Sequence, residues 1–235
     1  MLVAMKGHPG SGKSTLARSL ATALQWPLLD KDDVRDCTHP LHLALSHHDA
    51  AAAAAEPLLN NMAYQVLWRM AKTQLQMGLS VIVDSPLSRP SLFASAAALA
   101  AAYHSQLIII ECVSSDAEIW KHRLESRADA LAAASSSSSS SVVKEEGVKS
   151  VATVSLQDVH ENAGGWHKPR CWEDLQALIY GYEGCYDYEV PMPARKLVVN
   201  TTSPSHSLDT LVAAVLQWLH SSPDKGNMPS VSYIP

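Results

Sequence analysis

Short apolar runs recur along the chain at intervals that leave room for a helix between neighbouring runs. Their composition is aliphatic and often β-branched, which is typical of strands that are covered on both faces of a sheet. These runs are residues 2–5, 27–30, 80–84, 107–112 and 196–200. Because the strands alternate with helices along the chain, the pattern predicts an α/β fold with a doubly wound, five-stranded parallel sheet.

The segments between these runs carry apolar residues three and four positions apart, the spacing of one helix face. The last such segment places Leu211, Val215 and Leu219 on a single face. Pro27 and Gly78 mark the ends of two helices, because proline restricts the residue before it and glycine often follows a helix. The predicted helices are 14–26, 57–77, 91–103, 116–128, 172–182 and 207–220.

Two stretches depart from this alternation. Residues 129–165 include an unbroken serine run at 135–141, and their composition cannot bury enough apolar surface to order the segment. We interpret residues 129–165 as a lid that carries a disordered serine-rich insertion. Residues 222–235 are rich in proline, serine and glycine and are predicted to form a flexible tail, which leaves 1–221 as a single domain.

Charge and cysteine content limit the classes of partner. The formal net charge is -5 and the pI is about 6.1, so nucleic acid is not expected as a steady partner. The four cysteines form no Cys-x-x-Cys pair, which indicates free thiols rather than a zinc site or a disulfide framework. No apolar run is long enough to span a membrane, and the first strand begins too early to leave room for a targeting peptide. We therefore expect a cytoplasmic protein.

The loop after the first apolar run reads Gly-His-Pro-Gly-Ser-Gly-Lys-Ser at residues 7–14, which we call the phosphate loop. It matches the pattern G-x-x-x-x-G-K-S in the required order of strand, loop and helix. The glycines allow backbone N–H groups to surround phosphate oxygens, Lys13 reaches the β- and γ-phosphates of ATP, and Ser14 holds Mg²⁺. The alternative is a glycine-rich turn without a ligand. The expected nucleotide contacts within and beside the loop are His8, Pro9, Gly10, Ser11, Gly12, Lys13, Ser14 and Thr15.

A charged segment follows the second run, at the end of a strand where ligands bind in open parallel sheets. Asp32 is a candidate for the base that accepts the proton of an attacking hydroxyl. Arg35 is a candidate for holding an anionic group of the substrate or the transferring phosphoryl. The alternative is that Asp32 or Asp33 only caps a helical turn. Further substrate contacts are expected from residues 36–60 and 85–95.

Asp84 ends the third run, where an acidic residue often contacts Mg²⁺ directly or through water in phosphate-loop proteins. We expect Asp84 and Ser14 to share the ion, and the alternative is a turn-forming aspartate. Residues 39–56 are interpreted as a solvent-facing insertion or a substrate-side lid. Four histidines there offer an alternative metal site, although no cysteine or carboxylate completes a familiar ligand set: His39, His42, His47 and His48.

Two arginines follow the fourth run. Arg123 and Arg127 lie four residues apart and therefore share one helix face. Their position after a strand of the sheet favours a role on the nucleotide side, and the alternative is a solvated, salt-bridged face.

The phosphate loop, the Asp30-x-Asp32-x-x-Arg35 segment, Asp84 and the helix with the two arginines resemble the small P-loop kinases grouped with nucleoside monophosphate kinases. Within them the chain is similar to the AAA_33-type family. That family includes chloramphenicol phosphotransferase-like, zeta-toxin-like and polynucleotide kinase 5′-kinase domains. The resemblance covers roughly residues 1–220 apart from the serine-rich insertion, which departs from the family pattern.

The resemblance implies further roles that the residues alone do not give. It implies a sheet order of 2-3-1-4-5 and identifies Asp32 as the general base. It implies that Arg123 and Arg127 grip nucleotide phosphates, and that the loop after the last strand, with Thr202, borders the adenine.

Our first hypothesis is an ATP- and Mg²⁺-dependent kinase that acts on a hydroxyl of a small metabolite, with Lys13, Asp32, Arg35 and Arg127 as catalytic residues. The second is a kinase of a nucleotide or a polynucleotide end, against which the acidic charge balance argues. The third is a nucleotide-binding switch without transfer chemistry. A switch needs no acceptor-site base, so the charged segment after the second run argues against it.

Overall fold

The computed structural model describes residues 1–46, 49–137, 165–203, 207–221 and 231–235. Residues 138–164, which make up most of the predicted lid and the rest of its serine run, lie outside the described residues. The same is true of residues 222–230 of the predicted tail. Residues 129–137 of the predicted lid are helical and extend the helix predicted to end at residue 128.

A single parallel sheet confirms the predicted α/β fold class. Its strands are β1 (Leu2–Lys6), β2 (Leu28–Asp30), β3 (Val81–Asp84), β4 (Leu107–Val113), β5 (Arg195–Asn200) and β6 (Val231–Ile234). They are arranged β2-β3-β1-β4-β5-β6, and every neighbouring pair is parallel. The order keeps the predicted 2-3-1-4-5 and adds a sixth strand at the β5 edge.

The sixth strand shows that the prediction of a flexible tail is wrong at its end. β6 pairs with β5 so that Ile234 lies opposite Val199. Ile234 is half-buried against one of the two cores, whereas Tyr233 is 58% exposed. This alternation is typical of an edge strand with one covered face. Four residues that follow a proline- and glycine-rich stretch are too short a signal to stand out in the sequence.

The helices account for most of the remaining described residues. They are α1 (Lys13–Leu24), α2 (Lys31–Asp36), α3 (His39–Ser46), α4 (Asp49–Gln76), α5 (Pro90–Ala102), α6 (Ala117–Ser137), α7 (Trp172–Tyr180) and α8 (Leu208–His220). Within the described ranges, no helix has the length and apolar character needed to cross a membrane.

Helix α4 begins eight residues before the predicted start at Pro57, which lies inside the helix. The reason is the alanine run at residues 50–55, because alanine has the highest intrinsic helix propensity. The start of α4 therefore brings Glu56 and Asn60, which lie four positions apart, onto one helix face beside the end of β2.

Both faces of the sheet are covered by helices, so β1 is buried on both sides. Its even-numbered residues Leu2 and Ala4 face the core under α4 and α5. Its odd-numbered residues Val3 and Met5 face the core under α1 and α8. All four side chains are fully buried. A central strand with two buried faces fixes the position of the loop that follows it.

The carboxyl ends of the strands lie along one edge of the sheet, as in other open parallel sheets. Asp30, at the end of β2, pairs in register with Asp84, at the end of β3. The loop after β1 is the phosphate loop. This register brings the phosphate loop, the Asp30–Asp36 segment and Asp84 to one place.

We predict that Ile234→Ala lowers the free energy of unfolding by about 1–2 kcal/mol, because Ile234 is half-buried. Tyr233→Ala is the matched control in the same strand and should change it by less than about 0.5 kcal/mol, because Tyr233 is exposed. Urea unfolding of the whole chain measures both. Equal, negligible effects would show that β6 contributes nothing to the fold.

Candidate functional site

The phosphate loop is held in a conformation that only glycine adopts without strain. Gly10 and Gly12 have φ angles of 80° and 77°, in the left-handed region. A Cβ atom on Gly10 would lie 2.9 Å from Nε1 of Trp120, and one on Gly12 would lie 3.2 Å from the Cβ of Thr201. Trp120 also donates a hydrogen bond to the Pro9 carbonyl oxygen, at 2.8 Å. Helix α6 therefore supports the loop from one side.

Lys13 makes a buried ion pair with Asp84. Its Nζ atom lies 2.8 Å from Oδ1 of Asp84 and 3.3 Å from Oγ of Ser14. The Asp84 side chain is fully buried and that of Lys13 is 9% exposed. Burial disfavours the charged ammonium, but Asp84 outweighs this effect and raises the pKa of Lys13. Lys13 is therefore charged at neutral pH and has one anionic partner.

The surroundings of Asp84 fit a divalent cation. Its second oxygen, Oδ2, is buried and has no hydrogen-bond partner among the described residues. Ser14 is close to the same ammonium as Asp84. Mg²⁺ prefers an octahedral set of oxygen ligands and usually keeps several waters. Asp84 and Ser14 can supply the protein's share of such a set, with phosphate oxygens and water completing it.

The described residues give no support to a separate histidine metal site. They contain no group of three or more His, Cys, Asp or Glu side chains that could hold a metal ion. His39 and His42 instead pack against the indole ring of Trp166, with ring centroids 5.2 Å and 4.4 Å away. His47 and His48 lie outside the described residues.

Asp32 lies in the cleft and is surrounded by cations. Its carboxylate is 2.8 Å from Nζ of Lys168, 3.2 Å from Nζ of Lys31 and 3.9 Å from Nε2 of His167. Burial disfavours the carboxylate, but Lys31, Lys168 and the more distant Lys13 outweigh it and hold the pKa of Asp32 well below its ordinary value. Asp32 is therefore ionised at any physiological pH.

The helix cap that was the alternative role for Asp32 or Asp33 is made by Asp30. The Asp30 carboxylate accepts a hydrogen bond from the backbone N–H of Asp32, at 2.9 Å. The Asp32 side chain is thereby left free to face the cleft.

Arg35 is placed differently from the predicted substrate-holding position. Its side chain is 1% exposed and does not line the cleft. The guanidinium donates to Oγ1 of Thr38 at 2.9 Å, pairs with Glu56 at 2.6 Å and stacks 4.4 Å from the ring of Trp166. Arg35 thus fixes the position of Glu56, which does line the cleft.

Residues 165–169, which we call the crossing segment, join the two sides of the cleft. The backbone N–H of Gly165 donates to Oδ1 of Asp36, at 2.6 Å. At the other end, Arg127 donates to the Pro169 carbonyl oxygen, at 3.2 Å. The crossing segment carries the Lys168 that pairs with Asp32. Sequence patterns gave no role to this lysine, because it is far from the phosphate loop along the chain.

Arg123 and the loop after β5 close the cleft on the side of the phosphate loop. Arg123 donates to the Thr201 carbonyl oxygen at 3.0 Å, and the Thr201 hydroxyl donates to the Ser11 carbonyl oxygen at 2.7 Å. Thr202 is buried, and its hydroxyl accepts hydrogen bonds from the backbone N–H groups of Ser115 and Asp116, at 3.0 Å and 3.2 Å. Thr202, which the resemblance implies borders the adenine, does not line the cleft, whereas Thr201 lies against the phosphate loop and lines it.

His8 supports the loop through ring packing. Its imidazole stacks on Tyr186 with the centroids 3.8 Å apart, and it also stacks against Tyr182, whose ring lines the cleft. Burial and the neighbouring Lys6 lower the pKa of His8 to about 4. The ring is therefore neutral near pH 7 and adds no charge to the phosphate site.

All these elements meet in one cleft of about 1180 Å³. It brings together the phosphate loop, Thr15, Asp32, Arg123 and Arg127, as the sequence predicts. Asp84 lies beneath the loop rather than in the wall. Glu56, Asn60 and Arg89 also line the cleft, within the ranges 36–60 and 85–95 that the sequence predicts to contact substrate. The lining residues for which the sequence suggested no specific role include Lys31, Asn61, Tyr64, His167 and Lys168.

The family-model match lies in the first part of the chain. The AAA_33 family model, described as an AAA domain, matches residues 2–146. The uncharacterized proteins Rv2004c of Mycobacterium tuberculosis and Mb2027c of Mycobacterium bovis are 32% identical over 128 residues. The match covers 54% of this chain and 26% of each relative, so the chain spans only a part of their length.

Solved structures with a similar fold include several described as kinases. A putative kinase from Chloroflexus aurantiacus has a TM-score of 0.57 at 24% identity and covers 92% of this chain and 96% of its own. A sugar kinase from Janibacter has a TM-score of 0.51 at 14% identity, over 93% of both chains. Kti12 from Chaetomium thermophilum, solved with ADP-AlF3, has a TM-score of 0.52 at 17% identity, over 92% and 98%. At these identities the likeness is one of fold.

We predict that Lys168→Met raises the pKa of the Asp32 carboxyl by roughly one to two pH units, because the change removes a charge-assisted hydrogen bond and leaves the burial. A ¹³C NMR titration of aspartate-labelled protein measures the carboxyl directly. Asp32 contributes its full stabilisation of the fold at pH values above its ordinary pKa. That contribution is lost as the pH falls through the lowered pKa of Asp32 in the folded protein. In the variant that loss should occur at a higher pH.

Lys72→Met is the matched control, because Lys72 is exposed on α4 and does not line the cleft. It should leave the titration of Asp32 unchanged. An unchanged Asp32 titration in Lys168→Met would contradict the arrangement of the crossing segment.

Proposed function

Because the chain belongs to the AAA_33 family and has the fold of P-loop kinases, we propose that it is an ATP-dependent kinase that transfers the γ-phosphoryl group to a hydroxyl of a small metabolite. The observation that carries this proposal is the position of Asp32. An ionised carboxylate faces the same cleft as the phosphate loop. It follows β2, which lies next to β3 with Asp84 and two strands from β1, which leads to Lys13. A protein that only binds nucleotide has no use for a carboxylate at that point.

The nucleotide phosphates bind in the phosphate loop. The backbone N–H groups of the loop and the amino end of α1 face the phosphate oxygens, where the helix dipole favours negative charge. Lys13 leaves its ion pair with Asp84 and binds the β- and γ-phosphates instead. Arg123 and Arg127 line the cleft from α6 and offset charge that spreads over the transferring group.

Asp84 and Ser14 would hold Mg²⁺ beside these phosphates. When bound, the ion would neutralise negative charge that develops during transfer. The role of the chain is to keep Asp84 buried and oriented, and its pairing with Lys13 does this.

In the transfer step, the acceptor's hydroxyl oxygen forms a bond to the γ-phosphorus. The bond from that phosphorus to the β,γ-bridging oxygen breaks, and ADP leaves with the electron pair. The hydroxyl proton passes to Asp32. A loose transition state requires little proton transfer before the phosphorus–oxygen bond forms, so a weakly basic carboxylate is sufficient to orient the hydroxyl.

Arg35 has an indirect part in this proposal. Its contacts with Glu56 and Trp166 hold α2, α4 and the crossing segment together around Asp32. Removal of its charge would therefore disturb the shape of the acceptor site rather than a contact with the phosphoryl group.

The test of the function is ATP-dependent transfer to a compound in a metabolite extract, followed as a mass gain of one phosphoryl group. Loss of the mass gain and of ATP binding in Lys13→Ala would assign the activity to the phosphate loop. Transfer of the phosphoryl group to a nucleotide phosphate or to a polynucleotide end would support the alternative, a nucleotide or polynucleotide-end kinase. ADP release that no compound stimulates would support a nucleotide-binding switch.

We predict that Asp32→Asn lowers turnover with the identified acceptor by about 10²–10⁴-fold, because it removes the proton acceptor and keeps the shape. ATP affinity should change little, since the phosphate loop binds the nucleotide. Steady-state kinetics over a series of Mg²⁺ concentrations, with ATP binding measured separately, provide the check.

Asp33→Asn is the matched control on the same helix, because Asp33 is exposed and does not line the cleft. Its turnover should equal that of the parent. Parent-like turnover of Asp32→Asn at every Mg²⁺ level would remove Asp32 from the mechanism, and a shifted Mg²⁺ optimum would make it a metal ligand instead.

A further inference from the structure

The half of the cleft around Asp32 contains more positive than negative charge. We call this the acceptor half and define it by Lys31, Asp32, Asn60, Arg89 and Lys168, which all line the cleft. Glu56 also lines it, but its carboxylate is paired with the buried guanidinium of Arg35. Lys31 and Lys168 pair with the carboxylate of Asp32, and Arg89 lines the same cleft.

These cations are separate from those that meet the nucleotide. Lys13 comes from the phosphate loop, and Arg123 and Arg127 come from α6. Lys31 follows β2 and Arg89 follows β3, at the neighbouring carboxyl ends of the sheet. The charge of ATP therefore does not account for the cations of the acceptor half.

Lys31 and Lys168 share one carboxylate. The two ammonium groups lie 3.2 Å and 2.8 Å from opposite oxygens of Asp32. Lys31 is 6% exposed. Besides Asp32, its contacts among the described residues are with neutral groups, the Asn60 amide oxygen at 3.4 Å and the ring of Tyr64 at 5.6 Å. A buried ammonium that shares its counterion with a second cation is costly, and a further anion in the cleft would offset that cost.

Arg89 provides an unshared cation in the same half. It lies in the loop after β3, immediately before α5, and is exposed to the cleft. It makes no ion pair with any residue that the structure describes. Its planar guanidinium suits bidentate binding of a carboxylate or a phosphate.

We propose that the acceptor is a hydroxylated compound that carries an anionic group, a carboxylate or a phosphate, and that Arg89 together with Lys31 and Lys168 binds this group. The amides of Asn60 and Asn61, on the facing turn of α4, hydrogen-bond its other polar groups. This inference rests on the proposed kinase function and narrows its acceptor to an anionic class. It also assigns to Arg89 the anion-binding role that the sequence suggested for Arg35.

The experiment separates a metabolite extract on an anion exchanger at pH 8 into a retained, anionic fraction and an unretained, neutral and cationic fraction. Each fraction is incubated with the full-length protein, Mg²⁺ and ATP that carries ¹⁸O in its γ-phosphate. Mass spectrometry then identifies the labelled product and the atom that bears the label. We expect the label on a hydroxyl oxygen of a compound from the retained fraction, and tandem spectra show whether its anionic group is a carboxylate or a phosphate.

The result also separates the two proposals. Label on a compound from the unretained fraction would overturn the anionic class and leave the kinase function standing. Label on an existing phosphate of a nucleotide would overturn the hydroxyl acceptor itself. No label in either fraction would contradict the kinase function, and the inference with it.

Arginine variants then test the assigned residue with the purified acceptor. Arg89→Gln should lower kcat/KM for the acceptor by about 10- to 100-fold, mainly through KM, because it removes one charge-assisted contact. The KM for ATP should not change, and Arg89→Lys should restore part of the loss because it keeps the charge.

Arg69→Gln is the matched control, since Arg69 is an exposed arginine on α4 outside the cleft. Equal kinetics of Arg89→Gln and Arg69→Gln would exclude Arg89 as the anion-binding residue. A loss in kcat with unchanged acceptor KM would likewise contradict ground-state binding of the anion by Arg89.

Discussion

The buried ion pair between Lys13 and Asp84 is the interaction on which the site depends. Each group would be costly to bury alone, because the protein interior solvates an isolated charge poorly. In the structure each is the counterion of the other, at 2.8 Å. In our account the pair orients both groups where phosphates and a cation bind, and nucleotide binding replaces this ion pair with two new interactions. Lys13 then binds phosphate, and the Asp84 carboxylate binds Mg²⁺.

The sheet determines which groups can join this pair. β1 lies between β3 and β4, so the phosphate loop emerges beside Asp84 and two strands from β2, which leads to Asp32. The register between Asp30 and Asp84 fixes the start of α2, and the cap by Asp30 turns Asp32 toward the cleft. The crossing segment then brings Lys168 to Asp32 from the far side. The acceptor half is therefore assembled from segments that are distant in sequence.

Because the site is assembled from distant segments, the sequence predicts its local parts but not the contacts between them. The phosphate loop, the first five strands and Asp84 are local patterns, and apolar periodicity and one motif are sufficient to predict them. Arg35 was placed in the acceptor site because charge next to a ligand-binding edge suggests function. Its orientation depends on Trp166 and Glu56, which no local pattern links to it. The sequence also could not distinguish Thr201 from Thr202. Adjacent residues point in different directions, and only the fold shows which of the two faces the phosphate loop.

The central claim is that Asp84 changes partner from Lys13 to Mg²⁺ when nucleotide binds. Calorimetry of a non-hydrolysable ATP analogue, with and without Mg²⁺, tests it most directly in the parent and in Asp84→Asn. We expect the parent to bind the analogue more tightly with Mg²⁺. The variant should lose that enhancement and bind the Mg²⁺-free analogue at least as tightly as the parent, because Lys13 is released. An unchanged Mg²⁺ enhancement, with weaker Mg²⁺-free binding, would contradict the exchange of partners.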